Sequence, residues 1–291
     1  MADHQIISLY KDLKKAFAKD TLSDDVTSHL LKVYKGCNDF LNGFGILDLS
    51  SKVPNKNYFS FVDSSSGTAK KSRPVNLELF KNAEQYLDSF WSSVRKNDYS
   101  TMSEAELTSA CYRIAVSFCS SIDLIKKGDQ KTPGTYFECL IGHLFSKVFN
   151  VRPTQQLDVL NIEMSEKLPT DFIFDRGEGK PKYHVPIKTS TRERVIQVWA
   201  HQRVLDGVYG TGRFLGLLTC LSETKRDDTN NEVFEICLPA QWKIYQLFIA
   251  QMKRIYYLDP PVKYLALNEF FPKIQVKPIG AFFKEFDQLE N

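Results

Sequence analysis

The chain has 291 residues, 43% of them hydrophobic and 25% charged, a composition that excludes wholesale disorder and allows one large domain or two intertwined ones. Lys and Arg number 38 against 35 Asp and Glu. That net charge of +3 neither marks nor excludes a nucleic-acid partner, because clustering of charge matters more than its total. No run of about 18 apolar residues exists, so no membrane span is expected. The opening MADHQIISLYKDLKKAF lacks the long apolar run of a signal peptide and implies an intracellular protein. The six cysteines form no C-x-x-C pair, which excludes a zinc ribbon and favours buried free thiols.

Apolar positions at three- and four-residue spacing predict helices over 5–19 and 25–42. Residues 50–75 lose periodicity, and VDSSSGTAKKSRP reads as an exposed loop. Helical spacing returns over 77–97 and 103–127, the latter opened by Ser103 and Glu106 in the S-x-x-E pattern of a capping box. After Pro133-Gly134 comes an apolar helix, 135–149. Strand-like runs follow at 157–162, 171–175 and 183–188, then a polar helix over 192–206 that stops near Gly207 and Gly210. FLGLLTCL (214–221) reads as a buried strand, 222–231 as a polar loop, 232–238 as a strand and 239–255 as a helix. The aromatic stretches 256–271 and 281–283 suit core packing. GVYGTGRFLG (207–216) lacks the GK[ST] ending of a phosphate loop. The order of elements predicts an α/β fold with a mixed sheet.

One constellation in the second half carries chemistry. Asp171 opens a predicted strand, and Lys188 ends the next one 17 residues later, room for a loop and a returning strand. A carboxylate and a lysine placed so can lie side by side at one sheet edge. Mg²⁺ binds few carboxylates and keeps waters and phosphate oxygens in its shell, and an adjacent ammonium can hold the attacking water or steady developing charge. Glu138, amid Phe137, Leu140 and Ile141, can reach the same edge from its helix, since a carboxylate in apolar company needs a partner; the alternative is that Glu138 faces water and Asp171 and Lys188 are solvated surface residues. Arg192, Glu193 and Arg194 then open a helix, where free amides favour phosphate. Arginine pairs with guanine and glutamate accepts from cytosine N4, so the triplet can read adjacent G·C pairs; a solvated helix face is the alternative.

PTDFIFD (169–175) followed by VPIKTSTRER (185–194) resembles the split P-D…(D/E)-x-K signature of the PD-(D/E)XK nucleases. Ile187 stands where the acidic residue before the lysine would be, a departure shared with type II restriction endonucleases of the SsoII, EcoRII and NgoMIV group. The K-T-S-T-R-E-R run and the helix G-T-Y-F-E-C-L-I-G containing Glu138 are also similar to that group. The resemblance covers about residues 134–210. It implies a restriction-endonuclease-like core over 131–291, a central mixed sheet flanked by helices. Residues 1–130 would be an N-terminal helical region supporting DNA contact or dimerisation.

The resemblance further implies Mg²⁺-dependent cleavage of double-stranded DNA at a palindrome with a CC/GG core, CCNGG- or CCGG-like. It implies a homodimer, a cognate DNA methyltransferase as genetic partner, and a prokaryotic cytoplasm. Asp171 and Lys188 would be catalytic, with Asp171 and Glu138 on the metal and Arg192, Glu193 and Arg194 on bases. The group's helix-borne glutamate falls about thirteen or fourteen residues after the lysine, where this chain has His201 and Gln202. Glu138 supplies the second carboxylate, or the helix is set differently, or catalysis is impaired. Trp91 with Arg95 is a candidate platform for an extruded base, a packed tryptophan being the alternative. A DNA-binding protein on a weakened nuclease fold and an unrelated α/β interaction protein are the competing functions.

Overall fold

The computed structural model describes residues 2–65, 69–160 and 165–289. Helices α1 (Ala2–Lys19) and α2 (Asp24–Leu41) open the chain, α2 capped by the Ser23 hydroxyl, which accepts from the Asp25 amide. The stretch expected to be a loop is largely sheet: β1 (Gly45–Ser51), β2 (Tyr58–Asp63), β3 (Lys70–Lys71) and β4 (Val75–Asn76). Its residues 66–68 lie outside the described ones. Tyr58, Phe59, Ser60 and Phe61 of β2 are all buried, so the strand has two covered faces and shows no alternation. Helices α3 (Leu77–Asn82), α4 (Leu87–Lys96) and α5 (Glu104–Ile125) follow. Ser103 and Glu106 form the reciprocal capping box at the start of α5.

Helix α6 (Lys131–Phe149) precedes β5 (Thr154–Leu160), β6 (Ser165–Phe174), β7 (Lys182–Val185) and β8 (Ile187–Lys188). Residues 161–162 of the predicted strand 157–162 lie outside the described ones. A three-residue 3₁₀ turn, Arg192–Arg194, leads into α7 (Val195–Tyr209), which Gly210 ends at φ +95°. Then come β9 (Phe214–Cys220), β10 (Thr224–Asp227), β11 (Glu232–Glu235), α8 (Pro239–Phe248), β12 (Met252–Tyr257) and β13 (Val276–Pro278). Two expectations fail here. The polar stretch 222–231 contains β10, which pairs with β11; Lys225 is exposed, while Arg226 turns inward to Ser60 Oγ and Ser72 O. The predicted helix 239–255 stops at Phe248, and MKRIYY becomes a strand gripped on both edges by β9 and β13.

Among the described residues the strands form two sheets. The larger runs β13-β12-β9-β7-β6-β5, with β8 also on β9. It is parallel from β13 to β7 and antiparallel at β6 and β5. The smaller runs β10-β11-β1-β2-β3, so a strand of the N-terminal region pairs in parallel with β11. One hydrophobic cluster extends from Ile6 and Leu30 through α5 and α6 to Phe172, Tyr256 and Phe282. The six cysteines are unpaired, five of them buried, and no described helix is long and apolar enough to cross a membrane.

Candidate active site

Asp171 lies in β6 and Lys188 at the end of β8, with β7 between them in the chain. Pro186 has no amide and interrupts the strand between β7 and β8. Beyond it, the Ile187 amide donates to Asp171 Oδ2 at 2.7 Å, and Lys188 Nζ donates to the same oxygen at 2.6 Å. Both side chains are partly open, 22% exposed for Asp171 and 29% for Lys188. The backbone then follows β9: Leu221 N donates to Lys188 O and Ser222 N to Thr189 O.

Glu138 comes to this pair from α6. Burial raises its pKa, the negative charge of Asp171 raises it further, and Lys188 opposes the shift. Gly142, one turn further along, sets the approach: a Cβ there would stand 2.7 Å from the Phe172 ring in β6. Residues four apart share a helix face, so the glycine that seats α6 on β6 also seats Glu138 beside Asp171. His201 joins from α7, its pKa lowered by burial first and then by Lys188. A small cavity of about 50 Å³ has Asp171, Lys188, His201, Gln197 and His184 in its wall. Two buried polar atoms in that wall, Thr170 Oγ1 and His184 Nε2, lack a hydrogen-bond partner. Among the described residues no group of three or more His, Cys, Asp and Glu is arranged to hold a metal.

Gln202 does not reach this site. It is buried, its Oε1 accepts from His184 Nδ1 at 3.0 Å, and its Nε2 donates to Asp206 and to Phe214 O. With both ends of the amide engaged, it positions His184 and serves no ligand. Trp91 is a core residue, 3% exposed and set edge-on against Phe90, so neither ring face is open for a base. Arg95 is exposed in the last turn of α4, where it complements the helix dipole, outside the cavity at Asp171.

The Arg192–Arg194 turn is held from behind. Thr191 donates its amide and its hydroxyl to Glu223 Oε1, at 2.8 and 2.6 Å, and Tyr257 donates to the same oxygen at 2.7 Å. Arg192 stands at φ +30°, and its guanidinium donates to Thr224 O at 3.3 Å. Arg194 is exposed, and the Glu193 side chain lies outside the described ones. Glu223 and His184 are the residues that the sequence reading missed. Glu223 sat in a stretch read as a polar loop, and a lone histidine in the YHVPIK strand carries no local signal; both owe their roles to partners distant in the chain.

No family model matches the sequence, and no curated protein does. Among solved structures, the type IIP restriction endonuclease Kpn2I superposes with a TM-score of 0.80 at 22% identity, over 99% of this chain and 97% of that one. The restriction endonuclease PspGI, in a complex with substrate DNA, gives 0.43 at 15% identity, over 74% of this chain and 92% of that one. The superposition on Kpn2I establishes the architecture: this chain has a restriction-endonuclease-like α/β fold, a central mixed sheet flanked by helices.

Proposed function

We propose that the protein is a type II restriction endonuclease, hydrolysing phosphodiester bonds of double-stranded DNA at a palindrome with a CC/GG core, CCNGG- or CCGG-like. The observation that carries this reading is the 2.6 Å contact of Lys188, at the end of β8, with Asp171, inside β6, in a restriction-endonuclease-like sheet. Fold alone assigns no activity, so the residues at that edge must supply the argument. Asp171 Oδ2 is filled by Lys188 and the Ile187 amide, which fixes the carboxylate and leaves Oδ1 for another partner. Glu138 is half-buried beside that charge, an arrangement of two carboxylates that favours a shared cation. Asp171 and Glu138 are therefore the residues that would hold Mg²⁺. The ion would lower the pKa of a bound water and neutralise charge on the phosphorane. Lys188 orients the water and steadies the developing charge, and Arg192, Glu193 and Arg194 read the G·C pairs. A two-fold homodimer gives one site per strand of the palindrome. A cognate methyltransferase and a prokaryotic cytoplasm complete the reading.

Digestion of a sequenced plasmid with Mg²⁺, followed by sequencing of the ends, tests it. The expected ends map to sites with CC and GG halves; ends elsewhere refute the specificity. Lys188→Ala should lower cutting by about 10²–10³-fold, as loss of a charge stabiliser does, and keep DNA binding in Ca²⁺. Equal activity in the variant removes Lys188 from catalysis. One observation favours a second reading, a catalytically weakened nuclease fold that binds DNA: His201 and the fully engaged Gln202 occupy the place of the group's helix-borne glutamate. Under that reading gel shifts show duplex binding and Mg²⁺ yields no cuts.

A further inference from the structure

We propose that a cleft beside the Arg192–Arg194 turn is a second phosphate site, gripping the backbone of the DNA duplex away from the bond that is cut. This rests on DNA being the substrate. The cleft, about 280 Å³, lies between the β3–β4 segment, the turn that follows Lys188, and β10. Lys71, Arg73, Arg192, Lys225 and Arg226 line it, against the carboxylates Asp123 and Asp228. Arg73 takes both oxygens of Asp123, at 2.8 and 2.9 Å, and Arg226 takes Asp228 at 2.7 Å. Lys71 donates to an amide oxygen, that of Asn231, while Lys225 is exposed on β10. Three positive charges are thus left over in one concave surface, which focuses potential there.

Arg192 supplies the independent observation. Its Nε is buried with no hydrogen-bond partner, and its backbone sits in the left-handed region at φ +30°. An unpaired donor and a strained backbone in the same residue mark a turn held for a partner that the free protein lacks. Hydroxyls of Ser190 and Thr224 add neutral donors. Ser190 is two residues beyond Lys188, hence within about 8 Å of it along the chain. A phosphodiester running from Lys188 towards the recognition turn therefore passes the cleft. Lysine binds phosphate as a point charge from many directions, unlike the planar bidentate match that reads a base edge. The N-terminal region contacts DNA here through Lys71, instead of through Trp91.

Lys225→Ala tests the site, because Lys225 is exposed and its loss leaves the fold intact. Binding is measured in Ca²⁺ to a duplex carrying the cut site and to a scrambled duplex, between about 50 and 200 mM salt. Both affinities should fall by the same factor, about five- to tenfold. The slope of log K against log salt should shrink by about one, and the ratio between duplexes should stay constant. Unchanged affinity and slope overturn the proposal. So does a loss confined to the cut-site duplex, which means a base contact, or an equal loss in Lys15→Ala on exposed α1, which means net charge alone. Wild-type protein that binds no duplex overturns the restriction-endonuclease reading itself, a separate outcome.

Discussion

Glu223 is 0% exposed, yet one of its oxygens collects three donors while the other, Oε2, has none. Burial raises its pKa, so the fold tolerates a costly group here. Two of the three donors come from Thr191, the residue before Arg192, and this carboxylate sets the pose of the arginine turn. Thr191→Val should therefore lower discrimination between cut-site and scrambled duplexes by about tenfold or more, with thermal stability falling by the ~1 kcal/mol of a lost hydrogen bond. Tyr257→Phe removes a donor from the same oxygen without touching the turn. It should cost similar stability and leave discrimination intact; a Thr191→Val variant that loses stability and keeps full discrimination would mean that Glu223 is only structural. At this scale the contact of Asp171 with Lys188 was legible, because charges set into apolar strand runs stand out. Glu223, His184 and Gln202 were not, because a buried polar residue takes its meaning from a partner far along the chain.

Elements were legible where periodicity is one-sided. Helices α1 and α2 read clearly because each alternates a packed face with a wet one, and α5 and α6, buried nearly all round, from their length and apolar spacing. Strands β2 and β12 did not, since covering on both faces erases alternation, and β12 followed an apolar helix without a breaker. The contact that matters most between elements is α6 on β6. Its closeness depends on Gly142, whose missing Cβ leaves room for the Phe172 and Phe17 rings. Gly142→Ala should push α6 away from β6, destabilise the protein by about 1–3 kcal/mol through overpacking, and withdraw Glu138 from Asp171. Denaturant midpoint and single-turnover cleavage should fall together. A variant that loses stability and cuts at the wild-type rate would show that Glu138 needs no fixed distance from Asp171.

Across the whole molecule, the net +3 conceals a division of labour: carboxylates gather at Asp171 and Glu138, surplus cations at the cleft by Arg192. Two histidines are buried, His143 of α6 against the N-terminal helices and His184 of β7 against α7. His143 donates from Nδ1 to Thr21 O and accepts from the Thr27 hydroxyl; His184 donates to Gln202. Burial lowers both to about 4, from an ordinary value near 6.5. Both are neutral in the folded state, whereas the unfolded chain protonates them below about pH 6.5. Their contribution is therefore fully present above about pH 6.5 and is lost as pH falls to 4, up to about 3 kcal/mol for each. Asp129, held at about 2 by the Thr132 amide, titrates below this window. Glu138 and Glu223, raised by burial, titrate with the opposite sign. Comparison with His143→Gln cancels those groups, which are common to both proteins, and glutamine can still donate to Thr21 and accept from Thr27. Urea midpoints between pH 7.5 and 4.5 should fall more steeply for wild type than for the variant, and parallel curves would place the acid sensitivity outside His143.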